Sequence, residues 1–121
     1  VDPIRESMVM SLSAWVGPEQ NLLAPLSPEH CRRLWLEHPC LLPDDVDTVY
    51  GMSGYQGWSM HAIDTTFPVA EGPQSLHRHL QRVCHEACDA VRFGSRQVLI
   101  LSDRAVARDR AALPALLCAG A

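Results

Sequence analysis

The chain has 121 residues and a mass of 13.4 kDa, and its 47% hydrophobic and 20% charged side chains suit a globular domain rather than a disordered or fibrous segment. Ten basic residues against fourteen acidic ones leave a net charge of −4, which speaks against a phosphate-backbone binder, since that needs clustered positive charge. All the basic residues are arginines, so a P-loop lysine, a Schiff-base lysine and a lysine general base are excluded as well.

In chain order, Pro3 to Leu12 reads as a helix, with Asp2 as cap, Pro3 in the first turn, and Ile4, Met8, Leu12 and Trp15 as its apolar stripe. Ser27-Pro28-Glu29-His30 opens a second helix, and Pro43-Asp44-Asp45 starts a third that ends before Gly51. Pro18, Pro25, Pro28, Pro39 and Pro43 keep these first-half elements short and irregular. Residues 51–57 hold three glycines and read as a flexible loop. Trp58 to Ile63 reads as a strand, and Thr65 to Val69 as an extended connection, because the residue before Pro68 is pushed out of the helical region. Gly72-Pro73 starts a helix running to about Phe93, with Leu76, Leu80, Val83, Cys84, Ala87, Cys88 and Val91 as its apolar stripe and Gly94 just beyond its end. Gln97 to Leu101 is a continuous apolar run, which suits a parallel strand covered on both faces. A last helix begins at Leu113-Pro114 and continues to Ala121.

These elements predict an α/β fold. A βαβ unit in the second half forms part of a parallel sheet, and short irregular helices occupy the first half. Two strands do not make a sheet that buries both its faces, so the unit needs neighbours.

No basic run or apolar leader opens the sequence, and no apolar run approaches the roughly 20 residues a bilayer requires. The five cysteines, an odd number, read as reduced cytosolic thiols. The expected location is therefore cytoplasmic, with neither a membrane nor a nucleic acid as partner.

Few constellations carry chemistry. Ser102-Asp103-Arg104 lies just past the carboxyl end of a predicted parallel strand, where α/β folds collect functional groups. It reads either as an Asp–Arg pair capping the next turn or as a group facing a cleft or another domain. Cys84 and Cys88 sit one helical turn apart with His77 nearby, but the spacing lacks a second tight pair, so core thiols are expected rather than a metal site. His77, His79 and His85 fall on the polar side of the long helix, and His61 lies inside a strand, facing a core or a cleft. Trp15, Trp35 and Trp58, each set among aliphatic residues, read as core or interface anchors.

Several strings taken together resemble a known family. Asp2-Pro3-Ile4-Arg5-Glu6, Val9-Met10-Ser11-Leu12, Gly17-Pro18-Glu19, Asn21-Leu22-Leu23, Pro28 to Leu34, His38-Pro39, Thr66 to Gly72, Leu101 to Arg104 and Pro114 to Leu117 are similar, in this order, to the central domain of the glutamate synthase large (alpha) subunit. The resemblance spans the chain but only a middle part of that domain, so residues 1–121 are expected to be a fragment of a connecting domain. Departures occur at Gln20 and Ala105, where glycine is usual, and at Cys40, Cys88 and Cys118.

The resemblance implies an enzyme that makes two glutamates from glutamine, 2-oxoglutarate and a reductant. FMN and a three-iron iron–sulfur cluster are implied for the parent enzyme and none for this segment, which carries no catalytic motif. Implied partners are the amidotransferase and FMN domains of the same chain, with a small NADPH-oxidising subunit or ferredoxin. Ser102, Asp103 and Arg104, and secondarily Arg5 and Glu6, are the expected domain-junction residues. The alternative is a free-standing truncated remnant acting as a binding module.

Overall fold

The computed structural model describes residues 10–121, which form two units, one ending at Gly51 and one spanning Met52–Ala121. The helix expected from Pro3 lies outside the described residues except for its last three positions, and Met10 to Leu12 are not helical. Arg5 and Glu6 also lie outside.

The first unit is built from short pieces. Strand β1 (Ala14–Val16) pairs antiparallel with β2 (Leu34–Leu36), placing Trp15 directly opposite Trp35. Their ring centroids lie 6.5 Å apart with the planes tilted by 48°. The two rings are 62% and 55% exposed, so they form a surface pair, which excludes the core half of the expectation and leaves an interface anchor. Pro28–Cys31 makes a single 3₁₀ turn instead of a helix. The His30 ring fixes that turn through Ser27 Oγ at 3.1 Å and the Asn21 carbonyl at 3.1 Å. Helix α1 (Pro43–Gly51) begins as predicted and includes Gly51 as its last residue. The Asp45 carboxylate accepts the Leu42 amide at 2.9 Å, satisfying one donor at the helix start. None of the described residues of this unit is buried.

The second unit holds the core. Strand β3 (Met60–Asp64) pairs in parallel with β5 (Val98–Ser102), in register from Met60↔Val98 to Asp64↔Ser102. Helix α2 (Leu76–Arg92) lies between them in sequence, completing the predicted βαβ unit. A second pairing was not foreseen: β4 (Thr66–Pro68) runs antiparallel to β6 (Arg110–Ala112). Thr65 joins the two sheets, its amide donating to the Ser102 carbonyl and its carbonyl accepting from Leu113, both at 2.9 Å. Helix α3 is short (Ala115–Gly120), with Pro114 preceding it.

Ile63, Phe67, Val83, Leu113 and Cys118 form the buried cluster, with Leu76, Leu80, Ala87, Leu99 and Ala111 packed against it. The apolar stripe of α2 is therefore buried only along its middle. Cys88 and Val91 are exposed, and Ala90 is buried instead. Nor is β5 covered throughout, since Leu101 is 37% exposed. Trp58, by contrast, is buried as expected.

Local backbone geometry explains the ends of α2. Pro73–Ser75 form a 3₁₀ turn ahead of it, and Gly72 adopts φ 70°, a conformation that glycine enters at little cost. Gly94 follows the helix as predicted, but the left-handed residue is Ser95, with φ 48°. Glycine is required at 94 for space, because a Cβ there would lie 2.8 Å from the Ala90 carbonyl oxygen. The predicted flexible loop at 51–57 is structured: Tyr55–Gly57 form a 3₁₀ turn and the Gly54 amide donates to the Trp58 carbonyl at 2.7 Å. Among the described residues no helix is long and apolar enough to cross a membrane.

Candidate functional site

The densest polar network of the second unit lies at the carboxyl end of β3. Asp64 ends that strand, and its Oδ1 accepts the Thr66 amide at 2.8 Å and the Thr66 hydroxyl at 2.7 Å. This local turn, which Asp favours through its short acceptor side chain, lets the chain leave β3 and enter β4. Arg110, at the start of β6, closes over it. Its Nη2 reaches Asp64 Oδ2 at 2.7 Å, and its Nε and Nη2 donate to Thr66 Oγ1 at 2.9 and 2.6 Å. The Thr66 hydroxyl thus donates to the carboxylate while accepting from the guanidinium. Thr66 is 1% exposed, so these partners satisfy an oxygen that water does not reach.

A second arginine extends the network along α2. Arg82 Nη2 donates to the Asp64 carbonyl at 2.7 Å and to the Thr66 carbonyl at 3.3 Å. Its Nη1 reaches Glu86 Oε2 at 3.3 Å, one turn later on the same helix, and Glu86 Oε1 lies 3.1 Å from His61 Nε2. His61, Arg78, Arg82, His85, Glu86 and Asp89 line an open cleft of about 730 Å³. His61 therefore faces a cleft rather than the core.

Burial pushes the Asp64 carboxyl upward, but the Thr66 hydroxyl and amide and the charges of Arg110 and Arg82 outweigh it and hold the group below the ordinary aspartate range. Glu71 is also held low, first by its hydrogen bond to His79, against a smaller opposing effect of burial, and with further help from Arg78. His79 Nε2 sits 2.8 Å from Glu71 Oε2 and its ring lies 5.4 Å from Phe67. The side chain is only 13% exposed, so His79 is packed and partnered although the sequence puts it on the polar side of the helix, while His77 and His85 are exposed.

Ser102 ends β5, opposite Asp64, one residue inside the strand rather than past it. Its carbonyl accepts both the amide and the hydroxyl of Thr65, at 2.9 and 3.0 Å. Asp103 and Arg104 stand exposed on the following loop, where the Asp103 carbonyl accepts the Val106 amide at 2.9 Å. Ala105 takes the turn without a positive φ, so the absent glycine costs nothing there.

The fold brings Ser102 next to Asp64 and Thr65. Asp64, Thr66 and Arg110 are the site residues the sequence reading did not select. Asp64-Thr65-Thr66 did carry a signal, an aspartate with a hydroxyl two residues on. Arg110, 46 residues from Asp64, carried none.

The cysteines are all free thiols, with Cys118 buried, Cys84 half-buried and Cys31, Cys40 and Cys88 exposed. Cys84, Cys88 and Cys118 line an apolar groove of about 340 Å³ between α2, β5 and α3.

The sequence profile of the glutamate synthase central domain matches residues 1–121. The chain belongs to the glutamate synthase central domain family. It is 40% identical over 121 residues to the glutamate synthase [NADPH] large chain of Azospirillum brasilense, covering all of this chain and 8% of that one. The glutamate synthase [NADH] of Schizosaccharomyces pombe matches at 36% over 122 residues, and the chloroplastic ferredoxin-dependent enzyme of Oryza sativa at 36% over 124. All of this chain is covered in both cases, against 6% and 7% of those proteins. The chain thus spans less than a tenth of these relatives. Within the family's central domain, the Thr66–Gly72 string supplies β4, the Thr66 hydroxyl, Phe67 of the core and Glu71. Leu101-Ser102-Asp103-Arg104 supplies the end of β5 and the loop after it.

Proposed function

We propose that this chain is a segment of the connecting domain of a glutamate synthase large chain, lying between an amidotransferase domain and an FMN domain. The parent would convert glutamine, 2-oxoglutarate and a reductant into two glutamates in the cytoplasm. The observation that carries the proposal is the family match over every residue, with relatives named as glutamate synthases. Those relatives are named for NADH, NADPH and ferredoxin, so either a small NADPH-oxidising subunit or ferredoxin could serve as electron source for the parent.

Under this reading the segment is not catalytic by itself. The proposal places the implied FMN and iron–sulfur cluster in other parts of the parent.

The role assigned to this segment is to relay the state of one catalytic domain to the other. The end of β5 at Ser102, with Asp103 and Arg104 on the exposed loop after it, is the proposed contact, with Arg5 and Glu6 as a second one. An arginine held against another domain can make glutamine hydrolysis depend on the state of the synthase site through a change in domain arrangement. In the full-length enzyme, Arg104→Ala should raise glutaminase turnover relative to glutamate formation; an unchanged ratio would refute the contact. An immunoblot of source extract with an antibody to this segment tests the wider reading. A band many times heavier than 13.4 kDa supports it, and a band at that mass points to a free-standing module.

A further inference from the structure

We infer that Arg110 is a positioning residue that fixes the exposed 103–109 loop at the carboxyl end of the parallel strand pair. The functional consequence rests on the connecting-domain reading above.

Every residue from Asp103 to Asp109 is exposed, and the loop carries two aspartates and two arginines with Val106, 53% exposed, between the arginines. Such a loop would ordinarily sample many conformations, and ordering it costs backbone entropy. Here both its ends stand on one short segment. At the first end, the Ser102 carbonyl takes two hydrogen bonds from Thr65. At the second, the backbones of Ala107 and Arg110 exchange hydrogen bonds of 3.1 and 3.2 Å, closing a two-residue turn at Arg108-Asp109. The Asp109 carbonyl then accepts the Val69 amide at 2.9 Å.

The Arg110 side chain ties the loop's second end back to its first, because Asp64 is the register partner of Ser102 and is also the carboxylate that Arg110 grips. Three guanidinium contacts converge on Asp64 and Thr66 in the planar fork that lysine cannot reproduce. The Arg110 and Asp64 side chains are 36% and 44% exposed, so the pair contributes little to global stability. What it supplies is direction.

The test uses the full-length protein containing these residues. Arg110→Lys keeps the charge and loses the fork. Hydrogen exchange at the Val106 and Ala107 amides, which close the loop's two turns, should then quicken by about tenfold while exchange in β3 and α2 stays unchanged. The glutaminase-to-synthase ratio should shift in the direction given by Arg104→Ala, and the double variant should be no worse than the worse single one. Unchanged loop exchange, or additive effects on the ratio, would overturn the inference. If Arg104→Ala leaves the ratio unchanged while Arg110→Lys still quickens loop exchange, the connecting role fails and the positioning role stands. Should Arg110→Lys not fold, Thr66→Val removes the shared hydroxyl and Thr66→Ser retains it; only the first should quicken loop exchange.

Discussion

The Arg110 guanidinium lies 2.7 Å from the Asp64 carboxylate across 46 residues of sequence, with the Thr66 hydroxyl held between them. The arrangement has a sign with pH. Asp64 titrates below its ordinary value of 3.8, so its contribution is fully present above that pH and disappears as the pH falls through the lower folded value. Urea midpoints measured from about pH 6 down to about pH 2.5 should fall at the acid end, and Asp64→Asn should flatten that fall. Equal slopes for both proteins would refute the assignment. Glu71, also held below its ordinary value of 4.5, contributes in the same direction and should leave a residual slope in the variant.

Thr66→Val should destabilise the second unit by about 1 kcal/mol, because it removes the buried hydroxyl's hydrogen bonds to Asp64 and Arg110, whose half-exposed side chains water can then reach. Thr66→Ser should cost less, since it keeps the hydroxyl. Chemical denaturation of both variants checks the order, and a Val variant as stable as the Ser variant would contradict it.

Ile63 is fully buried and Val83 nearly so, and they belong to one cluster contributed by β3 and α2. Ile63→Ala should cost roughly 2–5 kcal/mol and Ile63→Val roughly 0.5–1.5 kcal/mol. The measurement is the shift in denaturation midpoint at constant slope.

Two glycines at helix ends should respond oppositely to alanine. Gly94→Ala drives a Cβ to 2.8 Å from the Ala90 carbonyl, so the end of α2 must open, at a cost of about 1 kcal/mol or more. Gly51 is the last residue of α1, with nothing within 4 Å of its would-be Cβ, and Gly51→Ala should be neutral or add up to about 1 kcal/mol of stability. Thermal melts of the two variants should move in opposite directions.

Thiol reactivity should follow burial. Burial first, and the neighbouring Cys84 second, raise the Cys118 thiol above its ordinary value of 9.0, despite an opposing pull from Arg82. Under native conditions an alkylating reagent should label Cys31, Cys40 and Cys88 well before Cys118, read by peptide mass mapping. Equal rates would mean that α3 does not cover its cysteine.

The β3–α2–β5 unit was legible because apolar spacing in steps of three and four, followed by a continuous apolar run, has few other physical solutions. β4 and β6 were not legible. Three-residue strands carry no measurable alternation, and the β4 strand contains Pro68, which speaks against a ladder until its partner is known. Ser27-Pro28 signalled a helical start correctly, but a cap does not set length, and the segment stops after one 3₁₀ turn. Of the candidate site, Ser102-Asp103-Arg104 could be placed from its strand, whereas its support from Arg110 could not.

By itself the sequence determined the family, the parallel βαβ unit, the start of α1 and the loop after β5, because these depend on residue strings and on contacts local in the chain. The tertiary structure alone decided that Trp15 meets Trp35 on the surface, that His79 is packed, and that Arg110 closes over Asp64 and Thr66. Those relations join residues far apart in sequence. Which distant groups meet is set by how the strands pair and the helix packs, and no local pattern encodes it.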